Sequence, residues 1–431
     1  MNIPKTIQKY LARQNLDRWE IEISSNRFFN NIVIVPALDE FNNIKTLIKC
    51  FEQNSPNYLS NTLILFVINN IQSECERIKN ENLNSLLYLR NLIKNKNPEL
   101  NLGVIDATSS DRSLPDNYGG VGLARKIGMD LALKYFNYKN NKRNIFLLLD
   151  ADCNIYENYL SAVVDTFGDE KNNAAVINFK HNLPENEQEK AAIINYEIFL
   201  RYYVLGLKYA KSPFANHSVG STIACSVESY IKVGGMNKRT AGEDFYFLEK
   251  LTKICNINYI KNTTVNASPR VSTRVPFGTG PRIKRFLNGT NNEYLLYDPR
   301  SFEILKEWLQ LFYNNEHSEN VSILMQRAKS IHIEIYNFLI EQQFEKNWKN
   351  ILSNSKSKTQ INKQKTIWMD GFRTLKLIHY LREKVYSNVD MFYAVNILFD
   401  KVGIINIHRS EEKIPSLEIQ QEYLELLRNH T

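Results

Sequence analysis

The sequence predicts an α/β protein: a mostly parallel β-sheet flanked by helices, followed by a helical C-terminal region. Three observations predict it. Short apolar runs of strand length recur at NIVIVPALDE (31–40), TLILFVINN (62–70), LGVIDA (102–107), NIFLLLDAD (144–152) and AAVINF (174–179), without the polar alternation of a half-exposed strand. Helix-patterned segments separate them, as parallel neighbours require. Beyond about residue 280 only helical spacing remains.

Residues 1–28 read as an N-terminal arm of one or two polar helices. In 31–40 Pro36 is expected to stop the strand, since it has no N–H for a ladder, and an acidic turn follows. Ile44, Leu47, Ile48 and Phe51 then recur at helical spacing. After the second run comes a polar helix over 74–95, and after the third a loop, TSSDRSLPDNYGG (108–120), made of turn residues. Val121, Ala124, Gly128, Leu131, Ala132 and Tyr135 mark a helix over 121–136. These elements define an α/β domain over 29–280 and a helical domain over 281–431, in which the polar SNSKSKTQINKQK (353–365) reads as a loop.

Composition narrows the function. The chain has 431 residues, 43% hydrophobic and 11% aromatic, enough to bury a full core, so global disorder is excluded. A net charge of +8 suits anionic substrates such as nucleotides. No basic–aromatic motif appears, so nucleic acid is not an expected partner. Five cysteines with no CxxC spacing argue against a disulfide framework or a zinc knuckle and fit a reducing cytosol. No apolar h-region opens the sequence, and no run approaches the ~20 residues of a membrane span, so a cytoplasmic protein is expected. PRIKRFLNG (281–289) has the charge to meet anionic lipid headgroups, which adds peripheral contact at the inner face of a membrane, or serves as a basic linker.

Four stretches carry chemistry. Asp150 and Asp152 close the fourth apolar run, one residue apart. Paired carboxylates past a strand end suit Mg²⁺ or Mn²⁺, which take oxygen ligands and share them with substrate phosphates; a turn or helix cap uses the same residues. In VGGMNKRTAGEDFYFLEKLTKI (233–254), Gly242 frees the backbone before Glu243 and Asp244, which open a helix marked by Phe247, Leu248, Leu251 and Ile254. The helix dipole stabilises carboxylates there, and a general base aimed into a cleft is the alternative. In GGVGLARKIG (119–128) glycines precede a helix and Arg125 is placed to reach a phosphate, or is a solvated surface charge. In ASPRVSTRVPFGTGPRIKRF (267–286), Arg270, Arg274, Arg282, Lys284 and Arg285 either close over a diphosphate or form a basic linker. Asp39–Glu40, Asn69–Asn70, Asp106 and Asp150–Asp152 all follow strands, so they should gather along one sheet edge. His217 lines an acceptor cleft or is structural.

Together, and in this order, these stretches resemble glycosyltransferase family 2, inverting transferases of the GT-A fold with its Rossmann-like sheet. IVIVPALDE is similar to that family's opening strand, GVGLARKIG to its G-x-ARNxG helix and LLLDADC to its DxD strand. GSTIACSVESYIKVGGMNKRTAGEDFYFLEKL (220–251) is similar to its acceptor segment. The resemblance covers roughly residues 30–275. It implies that Pro36, Ala37 and Glu40 border the nucleotide. It also implies that Asp150 and Asp152 hold the metal and the donor diphosphate. Asp244 takes the acceptor proton, with Glu243 beside it. The family's second strand often ends in an acidic turn that reads base and ribose. Here it ends INNIQSE, which leaves that task to Asn69 and Asn70, or to Asp106.

The expected function is therefore inverting transfer of a sugar from a nucleotide-sugar, UDP-linked first, to a hydroxyl of a glycan or lipid-linked acceptor, in polysaccharide or glycoconjugate synthesis. The alternatives are a non-catalytic GT-A-like binding or scaffold protein and a sugar nucleotidyltransferase. The last needs a glycine-rich basic loop after its first strand, and VPALDEFNN has none.

Overall fold

The computed structural model describes residues 3–24, 27–95, 100–270, 278–314 and 320–431. The chain forms two compact units. Met1–Asn182 and Ser218–Gly278 make the first, and Leu183–His217 and Thr279–Thr431 the second. One division falls at Gly278/Thr279, and residues 183–217 group with the C-terminal helices instead of the sheet.

In chain order the first unit comprises α1 (Lys5–Leu11), β1 (Glu22–Ile23), β2 (Asn31–Ala37), α2 (Phe41–Glu52), α3 (Pro56–Leu59), β3 (Thr62–Asn69), α4 (Glu76–Lys94), β4 (Asn101–Ala107), α5 (Val121–Ala132), β5 (Ile145–Leu148), β6 (Asn154–Ile155), α6 (Tyr159–Thr166) and β7 (Ala174–His181). The chain passes into the second unit as α7 (Glu187–Tyr209) and returns as β8 (Ile223–Ser226), α8 (Val227–Lys232), α9 (Glu243–Thr252) and β9 (Ile257–Ala267). Among the described residues the main sheet has nine strands, in the order β1-β4-β3-β2-β5-β8-β7-β9-β6. Strands β4, β3, β2 and β5 are parallel neighbours, as their unbroken apolar runs predicted. Strand β8 runs antiparallel between β5 and β7, while β1 and β6 run antiparallel at the two edges.

Pro36 does not stop its strand. β2 pairs with β3 through Ala37, but its ladder with β5 ends at Ile34↔Leu148. Ile34 O accepts from Leu149 N, so by the two-residue period Pro36 turns its missing N–H to the same side, past the end of that ladder. The strand therefore continues without losing a bond.

The arm over 1–28 is not purely helical: β1 joins the sheet edge and Ile7, Tyr10 and Ile21 are buried in the first unit's core. Tyr10 Oη donates to Asp130 Oδ1 (2.8 Å), as does Tyr230 Oη (2.6 Å), and Lys126 Nζ meets Asp130 Oδ2 at 2.8 Å. Asp130 and Lys126 both lie on α5, one helical turn apart. The same helix packs Leu123, Ala124, Ile127 and Leu131 into the core over β2 and β3.

The second unit adds α10 (Thr279–Leu287), β10 (Leu295–Leu296), α11 (Pro299–Tyr313), α12 (Val321–Ile331), α13 (Ile333–Glu341), α14 (Phe344–Asn354), α15 (Lys358–Trp368), α16 (Gly371–Lys384), β11 (Val389–Asp390), α17 (Met391–Val402) and α18 (Leu417–His430). Ile194, Ile198, Tyr202 and Leu205 of α7 join its core at helical spacing, which explains why this segment leaves the sheet unit. The stretch 353–365, expected to be a loop, is helical from Lys358 onward. Ser357 caps it by accepting from Gln360 N, and Lys365 and Trp368 are buried. Residues 279–287 are likewise helix rather than loop, with Ile283 buried. His217 lies buried in this unit, where burial and the charges of Arg201 and Lys208 push its pKa well below the usual imidazole range.

Candidate active site

Parallel strands end on the same side, so the residues just past β2, β3, β4 and β5 meet along one edge of the sheet. Two arginines organise that edge. Arg125 projects from α5 and is only 2% exposed. One terminal nitrogen of its guanidinium pairs with Asp150 and the other with Glu243. The DxD stretch and the acidic pair at the start of α9 are thus joined at one cation. Arg125, expected to reach a phosphate, instead faces these two carboxylates.

Local backbone explains the meeting. Gly242, at φ 68°, turns the chain in the left-handed region immediately before α9. Gly122 lets the first turn of α5 approach this turn. A Cβ there would stand 2.3 Å from Arg239 O and 2.9 Å from Glu243 Cβ. Asn237 Nδ2 donates to Glu243 O (2.9 Å) and ties the segment before α9 to its first residue.

Three carboxylates, Asp150, Glu243 and Asp244, act on one guanidinium. Burial pushes the Glu243 carboxyl up to about 7; Arg125 pulls it down and Asp244 adds to the rise. Burial raises the Asp244 carboxyl as well, against Arg125 and the backbone N–H of Phe245, which donates to Asp244 Oδ1 (2.7 Å). At the start of α9, burial is the largest influence on both carboxyls and raises them.

Arg270 is the second organiser. Its Nη2 lies 2.5 Å from Glu40 Oε1 and 3.3 Å from Asp152 Oδ2, which links the ends of β2 and β5. Asn43 Nδ2 also donates to Glu40 (2.5 Å). Arg274 lies outside the described residues. Arg282 and Arg285 belong to the second unit, where both meet Glu293.

Pro36 and Ala37 are buried at the end of β2, where Ala37 O accepts from Asn69 Nδ2 (3.1 Å). Asn70 Oδ1 accepts from Asn82 Nδ2 (2.9 Å) and Thr108 Oγ1. Asp106, 4% exposed, accepts from the Ser109 and Thr108 backbone and from Ser109 Oγ (2.6 Å), with Arg90 at 3.3 Å. Burial alone would raise its carboxyl, but the bonds from Ser109, Thr108 and Arg90 hold it below the usual range. Asn70 and Asp106, expected to read base and ribose, pin the loop after β4.

Several residues at this edge escaped sequence reasoning. Asn82, buried on α4, donates to Asn69 O and Asn70 Oδ1 and accepts from Asp39 N, so it fastens the ends of β2 and β3. Its signal was present: it falls on the same helical stripe as Ser85, Leu86 and Leu89, where an apolar residue is expected. Arg77 forks onto Asp39 at 3.0 and 2.8 Å, but nothing in its sequence neighbourhood announces a partner 38 residues away.

Asp150 and Asp152 form an all-oxygen pair that fits Mg²⁺ or Mn²⁺ completed by substrate phosphates. Among the described residues, no group of three or more His, Cys, Asp or Glu side chains stands ready to hold an ion.

The sequence matches no protein-family model and no curated protein. Among solved structures, the chain is similar to S. aureus TarS 1-349 in complex with UDP-GlcNAc, at 13% identity and a TM-score of 0.38 over 74% of this chain and 92% of that one. It is also similar to the mannosyltransferase PcManGT from Pyrobaculum calidifontis in complex with GDP-Man and Mn²⁺, at 11% identity and a TM-score of 0.38 over 98% and 91% of the two chains.

Proposed function

We propose that the protein is an inverting glycosyltransferase that moves a sugar from a nucleotide-sugar, UDP-linked first, to the hydroxyl of a glycan or lipid-linked acceptor. The observation that supports this reading is the shared contact of Arg125 with Asp150 and Glu243, which brings the Asp150–Asp152 stretch and the Glu243–Asp244 pair to one sheet edge.

Asp150 and Asp152 would hold a Mg²⁺ or Mn²⁺, which would supply positive charge to offset that of the leaving diphosphate. Asp244 accepts the acceptor's proton. The acceptor oxygen forms its bond to the anomeric carbon from the face opposite the leaving group, and the carbon–phosphate oxygen bond breaks with its electron pair on the diphosphate. A carboxyl raised by burial is a stronger base than a free aspartate, which suits proton removal near neutral pH. Arg125 fixes Asp150 and Glu243, so its part is positioning. Glu40 and Pro36 border the nucleotide, and Arg270 exchanges carboxylate partners for donor phosphates.

The test is a screen of UDP-, GDP- and ADP-sugars against purified protein, with and without Mn²⁺, reading release of nucleoside diphosphate and binding by calorimetry. Metal-dependent binding of one donor, with slow release, is expected. Absence of both for every donor overturns the reading.

A further inference from the structure

The second unit holds a cavity of about 370 Å³ that the proposed transfer does not use. Its wall includes three arginines, Arg282, Arg285 and Arg382. The first two stand three residues apart on α10 and so share a face, while Arg382 comes from the last turn of α16. One carboxylate in the wall opposes them. Glu293 is buried and lies 2.5 Å from Arg282 Nε and 3.0 Å from Arg285 Nε. The Arg282 Nε–H is not aligned on it and makes no hydrogen bond, although that nitrogen is buried. Arg382 pairs with Glu383 at 2.9 Å on the exposed surface, outside the cavity wall. The cavity wall therefore carries more positive charge than it neutralises.

The remaining wall is that of a site for a hydroxylated molecule. Asn291, Asn292 and Asn388 supply amides that both donate and accept. Phe199 offers a ring face, over which the Arg282 guanidinium stacks at 4.5 Å. The volume lies at the lower end of the roughly 300–1,000 Å³ of small-molecule sites. Guanidinium groups arriving from two helices suit a tetrahedral oxyanion, which offers oxygens in several directions, better than a planar carboxylate with two.

We propose that this cavity binds the phosphate group of a phosphorylated sugar or polyol, with Arg282, Arg285 and Arg382 on the phosphate and the asparagines on its hydroxyls. The site is independent of the transfer reaction.

The experiment is calorimetry on the full chain with glucose 1-phosphate, glycerol 3-phosphate, inorganic phosphate and glucose. Wild type is compared with Arg382→Gln and Arg285→Gln, each checked for folding by circular dichroism. Vesicles of phosphatidylglycerol and of phosphatidylcholine form a parallel arm. Phosphorylated probes are expected to bind and glucose not to. Each substitution should weaken binding by about tenfold or more, as loss of a charged hydrogen bond does. Asp152→Ala should leave this binding unchanged, which separates it from any binding at the sheet edge. Arg382-dependent binding of phosphatidylglycerol vesicles alone would overturn the proposal in favour of a lipid headgroup. The proposal is overturned if folded wild type takes up no phosphorylated probe at millimolar concentration, or if both variants bind as tightly as wild type.

Discussion

Arg125 and Glu243 stand 118 residues apart in the chain and form an ion pair in the interior of the first unit. Because the same guanidinium also holds Asp150, its removal leaves two carboxylates without their cation.

Arg125→Met should therefore lower stability by about 3–5 kcal/mol, the range for breaking one side of a buried pair. Urea unfolding followed by circular dichroism measures it. Arg125→Lys should restore only part, since an ammonium has no fork with which to hold two partners. A midpoint that does not move in either variant refutes the structural role.

Asp244→Asn should reduce turnover by about 10²–10⁴-fold while sparing donor affinity, because the amide keeps the shape but cannot take a proton. Initial rates and calorimetry with the donor found in the screen report the two quantities separately. Near-normal turnover would remove Asp244 from the role of base.

Asp152→Ala should weaken Mn²⁺-dependent nucleotide binding by at least about tenfold, or about 1.4 kcal/mol, and leave metal-free binding little changed. Titrating UDP with and without Mn²⁺ distinguishes the two. An unaltered metal dependence would show that the cation, if needed, sits elsewhere.

Stability should depend on pH through Glu243. Its carboxyl lies at about 7 in the folded protein against 4.5 for the free group. Between these values the folded state keeps a proton that the unfolded chain has released, so stability falls as pH rises through that window. The full effect is of order 3 kcal/mol. Melting temperatures from pH 4.5 to 7.5 should decline more steeply for wild type than for Glu243→Gln; parallel curves would contradict the raised carboxyl.

Gly122→Ala should disturb the same junction from the backbone side. Its new Cβ would press on Arg239 O and Glu243 Cβ, so α5 and the start of α9 must part. A crowded substitution of this kind typically loses about 1–3 kcal/mol. Thermal melting and donor turnover should fall together, whereas an alanine tolerated in both assays would mean that the two segments can shift freely.

Much of the fold was legible because its signals are local. Unbroken apolar runs gave the parallel strands 31–37, 62–69 and 101–107 almost to the residue. The reversed strand Ile223–Ser226 was not read, since its direction depends on neighbours supplied by β5 and β7. Pro36 misled because a proline's effect depends on which side of the ladder is still occupied. Lys358–Trp368 was hidden by its polar composition; its cap at Ser357 was the available clue. At the sheet edge, strand ends gave Asp150, Asp152 and Glu40. The sequence did not reveal that Arg125 faces carboxylates, or that Asp106 closes its own loop, because partners far along the chain or loop geometry decide both.

Tyr10 gives the opening helix a reach beyond its own short length. It donates to the buried Asp130, which sits on the rod that bears Arg125, five residues farther along. At ~1.5 Å of rise per residue, the gap is under 10 Å. Trimming the first dozen residues would withdraw this donor and the packing of Ile7, loosening the rod from behind. A shortened chain would then lose alignment at the sheet rim.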